Sequence, residues 1–220
     1  MQAALSFIGF SRLRSRQWRR VFNAALVPVF LSVAGAVSAD PAADLSEVLA
    51  DIETYQAEFT QTIRDQHGKL VQQSTGNMSA ARPGRLRWET EQPFAQLILV
   101  DGQQIWRYEE ELEQVIVSAY DDNLGDTPAL LLSGDVASIA ANYRVVRSGP
   151  FYTLLPKGEE SLFRAMQVTL KAGEVTRIQL NDSLGQTTVL QFKAIVVNPS
   201  LDDASFSFEP PAGVDVLRDE

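Results

Sequence analysis

The side chains that most often carry chemistry are scarce in this sequence. Its 220 residues contain no cysteine and one histidine, His67. Without thiols there is no disulfide, no iron–sulfur cluster and no cysteine nucleophile. One imidazole cannot build a multi-histidine zinc site. His67 also sits in Asp65-Gln66-His67-Gly68, which is turn chemistry, so it reads as a solvated turn residue. Carboxylates do cluster, at Glu109-Glu110-Glu111 with Glu113, at Asp121-Asp122, at Glu159-Glu160 and at Asp202-Asp203. A glycosidase needs two carboxylates facing each other across a sugar. These runs fall in expected turns, where acidic side chains are usually just solvated. Oxygen ligands are densest at Asp121-Asp122-Asn123-Leu124-Gly125-Asp126, a conceivable calcium loop that lacks the spacing and closing glutamate of an EF-hand. Dinucleotide, P-loop, nucleophile-elbow and zincin motifs are all missing. No catalytic residue, metal site or cofactor is expected, and the chain reads as a binding protein.

Charge divides the chain in two. The formal charge is −9, which argues against a nucleic-acid partner. Yet the first 39 residues hold five arginines, Arg12, Arg14, Arg16, Arg19 and Arg20, and no acidic residue. An apolar run from Ala24 to Val37 follows them and ends in Ala36-Val37-Ser38-Ala39. A basic region, an apolar stretch and small residues, in that order, read as a cleaved export signal. The run is shorter than the ~20 residues a membrane-spanning helix needs, and Pro28 interrupts it. Arg19-Arg20-Val21-Phe22 loosely resembles a twin-arginine signal, although general secretion suits the segment better. The expected organisation is a signal peptide over 1–39 and one domain over 40–220. The domain keeps 14 basic against 28 acidic residues, a charge of −14. With 45% apolar residues overall, the chain has enough to bury a core.

The elements of that domain follow from periodicity. Asp40-Pro41 supplies an N-cap and a proline at the first helical position. Leu45, Val48, Leu49 and Ile52 then recur at helical spacing, which predicts a surface helix with one greasy side. After Tyr55 the period becomes two. Strands are expected near 57–63, 70–79, 85–89, 97–100, 104–108 and 114–119, with Leu97 to Val100 apolar on both faces. Asp101-Gly102 is the strongest hairpin signal. Thr127-Pro128 starts a second helix filled by Ala129, Leu130, Leu131 and Leu132, and Asp135 caps a third short one. Strands resume at 143–147, 152–155, 163–170, 176–180, 187–197 and 205–208, with Leu190, Phe192, Ala194 and Val196 on one face. About eleven strands are too many for a flat open sheet, so a mainly β, antiparallel barrel or part-barrel is expected. The two leucine-rich helical elements are available to cover its concave side.

Several further segments stand out in order along the chain. They are Phe59-Thr60-Gln61 with Asp65 and Gly68, then Gly76, then Arg82-Pro83-Gly84-Arg85-Leu86-Arg87-Trp88. Pro93 to Val100, Asp101-Gly102, Trp106, Tyr108 and Leu112-Glu113-Gln114 continue the series. Gly125-Asp126-Thr127-Pro128 and Phe206-Ser207-Phe208-Glu209-Pro210-Pro211-Ala212-Gly213-Val214 complete it. In this order the segments resemble the LolA family of periplasmic outer-membrane lipoprotein carriers, and the resemblance implies an unclosed antiparallel β-barrel with an α-helical lid. It implies a non-enzymatic periplasmic chaperone that takes acylated lipoproteins from an inner-membrane ABC transporter to an outer-membrane receptor lipoprotein, and a monomer is expected. Arg82 matches the family arginine that holds the lid helices closed through backbone carbonyls. Read without the family, Arg82 caps a corner and pairs with a carboxylate. Leu86 stands where the family commonly has phenylalanine. Phe59, Leu86, Trp88 and Trp106 are candidates for lining an acyl-chain cavity, or are plain core residues. Leu45, Val48, Leu49, Ile52, Leu130 and Leu131 would belong to the lid. A carrier of free lipid or glycolipid on the same fold is the alternative. A lipid hydrolase would need a base that His67 is badly placed to provide.

Overall fold

The computed structural model describes residues 40–120, 128–158, 161 and 163–219. The export-signal reading of residues 1–39 and the calcium candidate at 121–126 lie outside the described residues. Helix α1 spans Pro41–Ala50, and the Asp40 side chain accepts from the Ala42 N–H, as its sequence anticipates. Twelve strands follow among the described residues. The first six are β1 (Thr54–Arg64), β2 (Leu70–Ala81), β3 (Arg85–Gln92), β4 (Gln96–Asp101), β5 (Gln104–Glu109) and β6 (Gln114–Ala119). The others are β7 (Tyr143–Ser148), β8 (Phe151–Pro156), β9 (Phe163–Lys171), β10 (Glu174–Asp182), β11 (Thr187–Val197) and β12 (Asp215–Arg218).

All twelve belong to one sheet in the order β12-β6-β5-β4-β3-β2-β1-β11-β10-β9-β8-β7. The two ends of that order, β12 and β7, do not meet, so the sheet is unclosed. Next to the centre lies the long pair β1 and β11, where Tyr55 opposes Val197 and Arg64 opposes Thr187. The concave side carries the main core. Tyr55, Ala57, Phe59, Met78, Leu86 and Trp88 belong to it, as do Leu45, Leu49 and Ile52 from α1 and its end.

Three local expectations change. The element after Thr127 is a 3-10 turn over Pro128–Leu132 rather than an α-helix. Asp135 does cap the next turn, Val136–Ser138, through the Ala137 N–H, and α2 follows at Ile139–Asn142. Residues 205–208 are not a strand. Asp203–Phe206 is a 3-10 turn capped by Asp202, and the final strand lies later and runs parallel to β6. Pro210 and Pro211 have no N–H to give to a ladder, which delays pairing until they are passed. The third change is on β11. Gln56 opposes Val196 but Glu58 opposes Lys193, so Ala194 and Ile195 together face Ala57. Ala194 takes a left-handed φ of 47° at this bulge. The extra residue reverses the alternation: Ile195 and Val197 pack on the core, while Val196, expected beside Phe192, is 48% exposed.

Candidate functional site

The site grows from the corner between β2 and β3. Arg82 follows the buried Ala80 and Ala81 and is itself half-buried. Its main-chain N–H donates to the Glu53 carbonyl at 2.9 Å. Its guanidinium then divides among three carbonyls. Nε donates to Ile52 O at 3.0 Å, Nη2 to Leu131 O at 3.1 Å, and Nη1 to Gly134 O. Ile52 lies just past the end of α1, and Leu131 and Gly134 lie at the end of the 128–132 turn. Helix ends leave such carbonyls without partners, and the rigid fork of an arginine can serve several of them. One side chain thus joins both coverings of the concave face to one corner of the sheet. Burial pulls the guanidinium down from its ordinary value, while Asp135 and Tyr120 pull it up. An arginine stays protonated through shifts of that kind.

The corner is shaped for this contact. Gly84 adopts a φ of +63°, which favours glycine. Its N–H donates to the Ser133 carbonyl at 2.8 Å, adding a third link to the 128–132 turn beside those from Arg82 to Leu131 and Gly134. Asn198 completes the end of α1. Its Oδ1 accepts from the N–H of Glu53 at 2.8 Å, and its Nδ2 donates to Asp51 O at 2.9 Å. The far side of α1 is held by Asp44, which receives Arg147 Nη1 at 2.8 Å and the Tyr152 hydroxyl. Nothing in the sequence marked Asn198 or Asp44, since their partners lie more than a hundred residues away.

The apolar coverings fill the space beneath them. Leu45 and Leu49 have no exposed surface, and Leu130, Leu131 and Leu132 are nearly as enclosed. Val48 is only half-buried, at the margin of the stripe. Phe59 and Trp88 stack with ring centroids 3.7 Å apart, and Leu86 is fully buried on the same face. Beyond the coverings the concave face opens into a cavity of about 470 Å³. Trp88, Ile98, Leu190 and Ala129 form its apolar part, and Phe94 and Leu112 stand at its wall with large exposed surfaces.

The structure does not bring Trp106 to this face. Trp106 is opposite Leu99 and Val117, whereas the concave row of β5 is marked by Ile105 in the core. Its indole N–H donates to Asp101 Oδ2 at 3.1 Å, and its ring meets the edge of Phe208 at 6.1 Å. Here the convex side of the sheet has a cover of its own. Arg87 Nη1 donates to Ser205 O at 3.3 Å, and the Arg85 guanidinium lies 5.0 Å from the Phe206 ring. Leu97, Leu99, Val115 and Val117 are buried on this side, and the 203–206 turn packs on β3 and β4. The two-faced apolar run at 97–100 is thereby explained: both faces of β4 are covered.

His67 lies exposed in its turn, with its main-chain N–H bonded to Asp65 Oδ1 at 2.9 Å. Among the described residues no group of three or more His, Cys, Asp or Glu is arranged to hold a metal. No helix among them is long and apolar enough to cross a membrane.

Comparison with known proteins places the chain in a family. Residues 50–209 fit the LolA family, described as outer membrane lipoprotein carrier protein LolA. An outer-membrane lipoprotein carrier protein of Hahella chejuensis is 44% identical over 181 residues, covering 80% of this chain and 87% of that one. One from Chromohalobacter salexigens is 36% identical over 211 residues, covering 94% of this chain and 99% of that one. Among solved structures, an uncharacterized conserved protein from Thermus thermophilus aligns with a TM-score of 0.50 at 17% identity. That alignment covers 80% of this chain and 99% of the other, and it speaks for the fold alone. A match running from the end of α1 to the segment on the convex face, with relatives of this identity over most of their length, shows that this chain belongs to the LolA family of outer-membrane lipoprotein carrier proteins.

Proposed function

We propose that this protein carries acylated lipoproteins across the periplasm, shielding their acyl chains on the concave face of the sheet. The observation that carries the reading is the Arg82 fork on the carbonyls of Ile52, Leu131 and Gly134. The concave face is apolar, and its present fillers are the protein's own leucines at 45, 49, 130 and 131. A chain entering there must displace them. The three bonds of Arg82 join both coverings through one side chain, and they resist that displacement together with the Gly84, Asn198 and Asp44 contacts. Acyl burial supplies the drive, at ~0.8 kcal/mol per CH₂ group. Re-forming the bonds then favours release. Arg82 is the lid-closing residue in this reading. Phe59, Leu86 and Trp88 meet the cargo once the lid has moved.

Residues 1–39 act as the export signal, and the remaining chain works as a monomer without catalysis. It accepts lipoprotein from an inner-membrane ABC transporter and gives it to an outer-membrane receptor lipoprotein. Depleting the protein from the periplasm tests this. Lipoproteins destined for the outer membrane should accumulate in the inner membrane. Normal sorting after depletion would sink the reading. Incubating the protein with membrane vesicles separates the two kinds of cargo: a lipoprotein carrier removes acylated protein, and a free-lipid carrier removes only phospholipid.

A further inference from the structure

The concave face changes character along its strands. Near Arg82 the inward positions are apolar, as at Ala57, Phe59, Met78, Leu86 and Trp88. Two residues further on, about 7 Å along an extended chain, the same face becomes neutral and polar. Gln61 follows Phe59, Thr90 follows Trp88, and Thr188 lies beside Leu190. The neighbouring strand contributes Ser74, opposite Gln61, and Gln72, opposite Ile63. All five side chains line the 470 Å³ cavity, directly above its apolar part. Among the described residues none of the five makes a side-chain hydrogen bond, although Ser74 is only 4% exposed.

Ser74 is buried, Gln61, Thr90 and Thr188 are half-buried and Gln72 is exposed, so all five are free to bond a ligand that enters the cavity. Amide and hydroxyl groups donate to neutral carbonyls. A hydrocarbon chain has no acceptor until its ester carbonyl is reached. An apolar floor with one ring of neutral donors above it therefore matches chains followed at once by esters. Among the described residues the lining contains no lysine or arginine, and its charged members are Glu109 and Glu111. Arg107, opposite Ile98 in register, turns to Ser118 Oγ at 3.5 Å and is not part of the wall. A phosphate would meet two carboxylates here and none of the cations that usually bind it.

We propose that Gln61, Gln72, Ser74, Thr90 and Thr188 form a carbonyl-reading belt that selects an uncharged, ester-linked diacylglyceryl group, and that Glu109 and Glu111 turn away the same group when it bears a phosphate. The proposal rests on the carrier reading and adds its specificity: it explains how such a protein could work beside a membrane full of phospholipid without filling with it.

Competition binding to the purified protein tests it with three probes. They are a short peptide with an N-terminal S-(dipalmitoylglyceryl)cysteine, the same peptide with ether-linked chains, and dipalmitoyl phosphatidylglycerol. Loss of the two carbonyls should weaken the ether form about tenfold, given the modest net value of each hydrogen bond. Phosphatidylglycerol should also bind at least about tenfold more weakly than the ester peptide, a gap that narrows in Glu109→Gln/Glu111→Gln at low salt. In Gln61→Leu/Thr90→Val the ester and ether forms should bind within about twofold of each other. Equal binding of the two peptides to the unaltered protein would overturn the belt, and that comparison needs no variant to fold. A full ester preference surviving in Gln61→Leu/Thr90→Val would overturn it too. Phosphatidylglycerol competing as well as the ester peptide would overturn the role of the two glutamates. Failure of both peptides to bind would overturn the carrier reading itself.

Discussion

Replacing Arg82 with leucine removes three donors at once and leaves the carbonyls of Ile52, Leu131 and Gly134 without their partners. Hydrogen bonds to a charged group are worth ~1.5–3 kcal/mol each in favourable cases, but this guanidinium is partly desolvated, which offsets some of that. Taking ~1 kcal/mol for each bond gives about 3 kcal/mol, or roughly a hundredfold, in the ratio of closed to open coverings. The fold should survive, because the twelve-stranded sheet does not depend on this side chain. Amide hydrogen exchange reads the opening directly. The N–H of Gly84, bonded to Ser133 O, and those of Ser133 and Gly134, bonded to Leu130 O, report on the 128–132 turn. Their protection should fall by about a hundredfold, while Phe59 and Ile178 at the centre of the sheet stay as they were. Arg82→Lys keeps the charge but not the fork, so its effect should be intermediate. In transfer assays Arg82→Leu should still take up lipoprotein but pass it on poorly, because re-closure no longer drives release. Protection at Gly84 and Gly134 within about threefold of the unaltered protein would refute the latch, as would transfer at the normal rate.

Alkaline pH should loosen the attachment of α1. The Tyr152 hydroxyl is pushed up to about 12 by burial and by its bond to Asp44. A raised value means that the fold prefers the neutral phenol. Its contribution is complete below pH 10 and is lost as pH rises through about 12. Thermal melting from pH 9 upward should therefore fall less steeply in Tyr152→Phe, and identical slopes would remove Tyr152 from the account. Gly76 offers a packing test. A Cβ there would lie 1.8 Å from the Glu89 carbonyl oxygen and 3.0 Å from the Phe59 ring. Gly76→Ala must push β3 away at the register shift between Thr75 and Gly76, for about 1–3 kcal/mol of overpacking. Calorimetry should show a drop of several degrees, roughly 2–4 °C per kcal/mol at this size. An unchanged melting temperature would mean that β3 yields freely.

Much of the architecture is written in local chemistry. Asp40-Pro41 caps and opens α1 as those residues do in any helix. Asp101-Gly102 closes the hairpin between β4 and β5, with Asp101 Oδ1 accepting from the N–H groups of Gln103 and Gln104 at 2.8 Å. Period-two runs locate most strands to within a few residues because each strand shows two unlike faces to its surroundings. The same periodicity cannot say which face is concave. On β3 the charged Arg85 and Arg87 alternate with Leu86 and Trp88, which separates the two faces, and the structure puts Leu86 and Trp88 on the concave one. On β5 the faces are not separated, because Trp106 and Tyr108 are as apolar as Ile105. Phe208 from the far end of the chain sits against both aromatic rings, and so places them on the convex side.

The site divides in the same way. The sequence by itself determined a mainly β domain, two leucine-rich elements to cover it and an arginine at a sheet corner between them, since each follows from neighbours a few residues apart. Tertiary structure alone decided which carbonyls Arg82 holds, that Asn198 finishes the end of α1, and that the Ala194–Ile195 bulge turns Val196 outward. Those outcomes depend on groups up to 147 residues apart meeting in one place. No local pattern encodes such a meeting, because it exists only when the whole sheet has curled and both of its faces have been covered.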